Sequence, residues 1–253
     1  MYKSIINSGD FNLNSVLLAK PFYFFYNNEP KKRIFENNKE QILNFSQEKN
    51  KLIVTSEKKI SEKTLERVKF CFGINEDLSS FYKICQKDKV LSNFTEKIKN
   101  IKILSAFSDF EAVIGCIVSQ NISFGQYIKK MNLMEDFGFF PKNFLENDLS
   151  KFKLGYKEKY IKNVSEFFLK KEISNKEELK DIKGIGEYSI NLYTIFQKRD
   201  YSCFYWDCLI EKIFLENYAL KLSKKQGIEK ANELWGDFRG LSEVFLQKLL
   251  NDI

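Results

Sequence analysis

"IKGIGEYSINLYTIF" spans residues 182–196 and sets two glycines one residue apart, directly ahead of an apolar-rich run. Only 11 glycines occur in 253 residues, so the pair is a concentrated feature. Upstream, "KEELKDI" (176–182) reads as the end of a short helix, with Ser174 or Asn175 as its N-cap. Downstream, "EYSINLYTIF" (187–196) repeats apolar residues at helical spacing. The segment from about 175 to 196 therefore reads as helix–turn–helix, with Ile182 and Ile185 pinning the two helices together. Gly184 and Gly186 permit positive φ and close backbone approach. The amides from Gly184 to Glu187 then lie at a helix N-terminus, where unpaired N–H groups and the helix dipole favour an anion. Such a site holds a phosphate without reading a base. A dinucleotide-binding fingerprint needs a preceding strand and a third glycine three residues on. Here the preceding segment is polar and the third position is Ser189. A turn with no ligand remains open on this motif alone.

Composition narrows the chemistry. The five cysteines (Cys71, Cys85, Cys116, Cys203, Cys208) are scattered, and there is no histidine. This argues against a zinc site or an iron–sulfur cluster and suits a reducing cytosol. It also removes every imidazole base, so acid–base work falls to Asp, Glu, Lys, Tyr or Cys. No run of about 18 apolar residues predicts a membrane span, and the first residues lack a signal layout, so export is not expected. The formal net charge is +7. Residues 151–171 carry seven Lys against two Glu just ahead of the glycine pair. That run is either a solvated helix face or a phosphate-facing surface.

The pattern changes along the chain. Residues 1–70 contain short aromatic and β-branched segments, "FYFFY" (22–26), "QILNF" (41–45) and "KLIVTS" (51–56), separated by polar clusters such as "NNEPKKR". These predict an antiparallel sheet. From about Glu62 apolar residues recur at helical spacing, as in "FEAVIGCIVSQNISFGQYIKKM" (110–131) and "DCLIEKIFLENYAL" (207–220). Ser108 is a further N-cap candidate and Gly138 a C-cap glycine. The expected fold class is mainly α with a small N-terminal antiparallel β-sheet domain (α+β), divided as 1–75 and 76–253.

Beyond the hairpin, Asp207 follows an extended apolar stretch (203–206) and precedes a helix. Asp there is an ordinary N-cap, but with Tyr205 and Trp206 before it the carboxylate can also enter an aromatic-lined pocket. The stretch "LKDIKGIGEYSINL" (179–192), with 21 positions from Gly186 to Asp207, resembles the helix-hairpin-helix–Gly-Pro-Asp superfamily of DNA glycosylases. "VIGCIVSQNIS" (113–123) resembles the helix that carries the residue inserted into the duplex, and "LWGDFRGLSEVFL" (234–246) the C-terminal tryptophan–arginine helix. "FNLNSVLLAKPFYFF" (11–25) resembles the N-terminal sheet domain of the 3-methyladenine and 8-oxoguanine branches. The Gly-Pro of the family name is replaced by Tyr205 and Trp206.

The resemblance implies a base-excision repair enzyme, a monomer of the cytoplasm acting at a prokaryotic nucleoid, with damaged double-stranded DNA as partner. Asp207 becomes the catalytic carboxylate, stabilising positive charge on the sugar and directing water. Gly184, Gly186, Lys183 and Glu187 become the backbone-binding turn, with a monovalent cation at the carbonyls of Ile182 and Gly184 and no other cofactor. Asn121, with Gln120 beside it, becomes the residue that fills the hole left by the extruded base. Strand-nicking members carry Lys two residues after the second glycine; here Tyr188 stands there and cannot form an imine. The expectation is a monofunctional enzyme whose pocket, with Tyr188 and Trp206, stacks on cationic alkylated bases. The alternatives are a glycosylase for oxidised or deaminated purines, and a non-catalytic DNA-binding protein.

Overall fold

The computed structural model of the chain describes residues 1–19, 22–36, 39–99 and 101–251. Four strands, β1 (Tyr2–Asn7), β2 (Lys31–Glu36), β3 (Lys39–Glu48) and β4 (Lys51–Ser56), form one antiparallel sheet in the order β1-β4-β3-β2. The helices are α1 (Leu13–Ala19), α2 (Glu62–Cys71), α3 (Ser79–Lys87), α4 (Thr95–Lys99), α5 (Asp109–Ser119) and α6 (Phe124–Glu135). They continue with α7 (Pro141–Glu146), α8 (Lys157–Lys170), α9 (Glu187–Gln197), α10 (Cys208–Asn217), α11 (Lys224–Trp235) and α12 (Arg239–Asn251). The expected α+β class, a small N-terminal sheet followed by a helical body, is what the chain adopts.

On β3 the inward residues alternate, Gln41, Leu43 and Phe45 being buried between exposed neighbours, as a sheet with one solvated face requires. Phe45 reaches Phe25, Phe72 and Phe107, and Phe11 stacks on Phe72 with centroids 5.2 Å apart. One continuous apolar core therefore runs from the sheet into the helices. Within the helical body α5 is buried from Phe110 through Val118 and packs against α8 and α9.

Several expectations need correction. "FYFFY" is not a strand of the sheet. Tyr23 makes a single bridge to Leu104, and all five side chains are buried. The Tyr23 hydroxyl donates to the Ala112 carbonyl at 2.8 Å, and its ring fills the space beside Gly115, where a Cβ would lie 2.9 Å from Cε1. Rings buried on every side are satisfied by packing on α5, with no sheet ladder needed. Conversely β2 begins within the polar cluster set aside as a turn. It is an edge strand, where charged side chains are common. The segment 110–131 is not continuous either: it breaks at Gln120–Ser123, where Asn121 has φ +51° and the Ser123 hydroxyl caps α6. Residues 20–21 of the stretch 11–25 and residues 252–253 of the last expected helix lie outside the described residues.

Lys32 of β2 joins the sheet to α5. Its ammonium is buried, 3.4 Å from Glu111 Oε1 and 3.9 Å above the Tyr26 ring, and it donates to the Phe24 carbonyl. Glu111 also accepts from the Tyr26 hydroxyl at 2.6 Å and the Phe107 amide at 3.0 Å. A buried pair broken on one side leaves an uncompensated charge. Lys32→Met is therefore expected to destabilise the protein by about 3–5 kcal/mol in urea unfolding, with Lys32→Met/Glu111→Gln recovering more than half; a single-variant loss under about 1 kcal/mol would contradict this linkage.

Candidate functional site

The hairpin forms with a 3-10 turn, not an α-helix, on its first side. Lys176–Asp181 is capped by Asn175, whose Oδ1 accepts from the Glu177 amide at 3.0 Å. The chain then bends through residues 182–186 into α9. Gly184 has φ +104°, and a Cβ there would sit 2.3 Å from Cγ of Tyr160. Both the conformation and the space demand glycine. Gly186 is different: its φ of −110° and ψ of −179° are extended backbone, and nothing lies within 4 Å of an added Cβ. Of the two glycines, the turn requires only the first. Gly186 is the N-cap of α9 and has no side chain to cover the first-turn amides, which leaves them open to a ligand. Ile182 is buried and Ile185 half-buried against the core, as the pinning role needs. Lys183 is exposed on the turn, and exposed Glu187 lies 3.6 Å from the Lys224 ammonium.

The carbonyls of the expected cation site each accept one hydrogen bond within the protein. Gly184 O accepts from Gln120 Nε2 at 3.0 Å, and Ile182 O accepts from the Ile185 amide at 3.0 Å. Each carbonyl oxygen keeps a second lone pair, and no chemistry is assigned to a cation there. Among the described residues no group of His, Cys, Asp or Glu is arranged to hold a metal ion.

Asp207 caps α10. Its Oδ1 accepts from the amides of Leu209 and Ile210 at 3.0 and 2.9 Å, while Oδ2 has no hydrogen bond among the described residues. The cap fixes the rotamer at the wall of a cavity of about 410 Å³. Tyr188, Tyr205, Phe22, Phe124, Tyr127 and Phe196 bring rings to that cavity, and Gln247 and Lys248 of α12 add polar ends. The size suits a small organic group. Tyr188 meets Tyr205 edge to face at 4.8 Å. Burial, then the nearby Asp207 and Glu243 carboxyls, push the Tyr188 phenol above its usual range, so it stays protonated. Behind Tyr205 lies Glu243 of α12, fully buried. Its Oε1 accepts from Gln247 Nε2 at 2.5 Å, and Oε2 has no well-formed partner. Burial, with Asp207 adding to it, raises its pKa well above the carboxylate range and favours the neutral acid.

Two residues expected at the site are placed otherwise. Trp206 is turned away from the cavity: its ring packs on Phe214 and over Gly227, where a Cβ would lie 2.0 Å from Cζ3. Extended backbone alternates sides, so the pocket receives Tyr205 and the core receives Trp206. Gln120 points into the protein, to Gly184 O and to Ser189 Oγ at 3.1 Å. Asn121 is exposed and donates from Nδ2 to the Tyr156 hydroxyl at 3.0 Å. Residues missed on sequence include Gln247, Lys248, Phe22 and Phe196. The aromatic ones look like ordinary core; Val244, Gln247 and Lys248 do carry a signal, spacing that puts all three on one helix face. The Lys-rich run 151–171 divides: Lys157 is buried and donates to Val118 O at 2.8 Å, and burial beside Lys130 pushes its pKa down to about 8.

No family profile and no curated protein matches the sequence. Solved structures match its fold along nearly the whole length. MBOgg1 in complex with a low-affinity DNA ligand superposes with a TM-score of 0.74 at 19% identity, covering 100% of this chain and 99% of that one. The apo 8-oxoguanine glycosylase/lyase of Clostridium acetobutylicum gives 0.72 at 18% identity, over 98% and 96%. The 3-methyladenine DNA-glycosylase of Archaeoglobus fulgidus gives 0.74 at 16%, over 100% and 99%. Sheet, hairpin and C-terminal helix thus lie together in the fold that these solved structures share.

Proposed function

We propose that the chain is a base-excision DNA glycosylase that hydrolyses the N-glycosidic bond of an extruded, damaged purine without a covalent enzyme intermediate. The observation that carries this reading is Asp207. A carboxylate clamped by two backbone amides, with its second oxygen unpartnered among the described residues, faces an aromatic cavity near a helix start that favours an anion. In the transition state the sugar gains oxocarbenium character. A fixed carboxylate next to C1′ stabilises that charge and orients the attacking water. Protein amides near Gly186 would take phosphates on the same strand, holding the nucleotide while its base sits in the cavity. With six rings in the lining, stacking favours an electron-poor, cationic base of the 3-methyladenine type.

Gln247 and Lys248 at the cavity favour a second reading. An amide and an ammonium there would hydrogen-bond the oxygen of an oxidised or deaminated purine, and Lys248 opposes a cationic one. Equal likeness to 8-oxoguanine and 3-methyladenine enzymes fits both readings.

A panel of duplexes carrying 3-methyladenine, 8-oxoguanine, hypoxanthine or uracil tests activity and substrate together. Release is expected fastest from the alkylated duplex, and Asp207→Asn should slow it by about 10²–10³-fold while duplex binding survives. No release from any member would remove the enzyme reading; preference for 8-oxoguanine or hypoxanthine would select the second. Borohydride reduction during turnover should trap no protein–DNA adduct, because Tyr188 offers no amine. A trapped adduct that vanishes in Lys248→Met would place an imine on Lys248 and overturn the monofunctional assignment. The two glycines should also separate. Gly184→Ala forces a Cβ into Tyr160 and should weaken binding to damaged and undamaged duplexes alike by about tenfold or more, whereas Gly186→Ala keeps the hairpin fold. Equal behaviour of the two in a binding titration would contradict this assignment of the turn.

A further inference from the structure

We propose that Gln120 is a positioning residue that couples the DNA-gripping hairpin to the loop that enters the duplex. It does this from inside the protein and is not itself inserted. The inference rests on the glycosylase reading for the roles of hairpin and loop; the coupling stands on geometry. A glutamine amide has two N–H donors, and here both are used. One goes to Gly184 O at 3.0 Å and the other to Ser189 Oγ at 3.1 Å. Ser189 is buried in the first turn of α9, next to Tyr188 of the cavity. One side chain thus ties the end of α5 to the hairpin bend and to the helix start that supplies the pocket ring.

A second route closes the connection into a ring. Asn121, adjacent to Gln120 and held at φ +51°, donates to the Tyr156 hydroxyl at 3.0 Å. Tyr156 meets Tyr160 edge to face at 5.7 Å, and the Tyr160 ring lies where a side chain at 184 would go. The circuit 120–121–156–160–184–120 joins the α5–α6 loop, the start of α8 and the hairpin. Its members are short-range and directional, so the bend cannot shift toward a phosphate without carrying residue 121 with it. Gln120 supplies the only one of these links that also reaches α9. An inserted side chain would instead leave Gly184 O and Ser189 Oγ indifferent to residue 120.

The test uses a duplex with a tetrahydrofuran abasic analogue next to 2-aminopurine. Protein-induced unstacking then raises fluorescence with no base to release. Gln120→Leu keeps the side chain as far as Cδ and removes both donors. It is expected to cut the fluorescence gain at least fivefold while affinity for an undamaged duplex changes less than threefold. Ser189→Ala, which touches no DNA, should give a smaller loss in the same direction. Gln120→Leu/Ser189→Ala should lose no more than Gln120→Leu alone, since both remove one linkage. The proposal is overturned if Ser189→Ala leaves the signal unchanged, or if the two losses multiply. A fluorescence gain in Gln120→Leu within twofold of wild type would overturn it equally. Should Gln120→Leu fail to fold, Ser189→Ala alone decides by the same criterion. Failure of the glycosylase reading shows separately, as absent base release with the fluorescence response intact.

Discussion

The face of the Tyr160 ring occupies the volume that any side chain at residue 184 would need. That contact, with the positive φ it accompanies, determines how the chain leaves the 3-10 turn and enters α9. From it follows the placement of the hairpin's share of the candidate site. The bend points Ile182 inward, frees the first amides of α9 and sets Tyr188 in the first turn of the helix, at the cavity. Gln120 holds the same bend from the opposite side through the Gly184 carbonyl. A turn gripped between an aromatic ring and an amide is a stiff one, and a stiff turn presents its amides in a fixed direction. Preorganised donors are what make a helix start useful as an anion site, because no ordering entropy is spent when the anion arrives.

That turn is supported in its place by α5, a helix whose buried face leaves no room for solvent and whose polar contacts are nearly all satisfied. Glu111 has Lys32, Tyr26 and the Phe107 amide as partners. Asp88, elsewhere in the helical body, accepts from Tyr218 and from the Trp235 indole at 2.8 Å each. The tryptophan of the C-terminal segment thus serves to lock α11 onto the start of the helical body. Arg199 similarly bonds Glu76 and the carbonyls of Cys71 and Ile103. Buried charged groups held by several hydrogen bonds favour one arrangement of the elements, and the rings packed around Phe72 and Phe45 add apolar burial.

Lack of histidine shapes the proposed chemistry. Acid and base functions around the cavity fall to carboxyls in different environments. Asp207 has two amides on one oxygen and half-exposure. Glu243 has burial and a raised pKa. Burial favours the neutral acid at Glu243, whereas Asp207 is held at the cavity wall by the first amides of α10. Glu243 orders Gln247 and lies behind Tyr205 without reaching the cavity, while Asp207 faces it.

Local rules were legible in the sequence where the physics is local. The helix-turn-helix, the cap residues Ser108, Asn175 and Asp207, the strands β3 and β4 and the α+β class follow from spacing and from side chains bonding backbone a few residues away. The requirement for a glycine in the hairpin was legible too. Which glycine needed its freedom was not, because that depends on Tyr160, 24 residues earlier, lying against residue 184. Nor could spacing tell Tyr205 from Trp206: strand alternation gives them opposite sides, but only the packed helices make one side a cavity and the other the surface of Gly227. Gln120 and the "FYFFY" segment share the same lesson. A glutamine after a helix and five aromatic residues in a row satisfy many local patterns. Their partners, Gly184, Ser189, Ala112 and Phe196, are distant in sequence and were decided by tertiary packing alone.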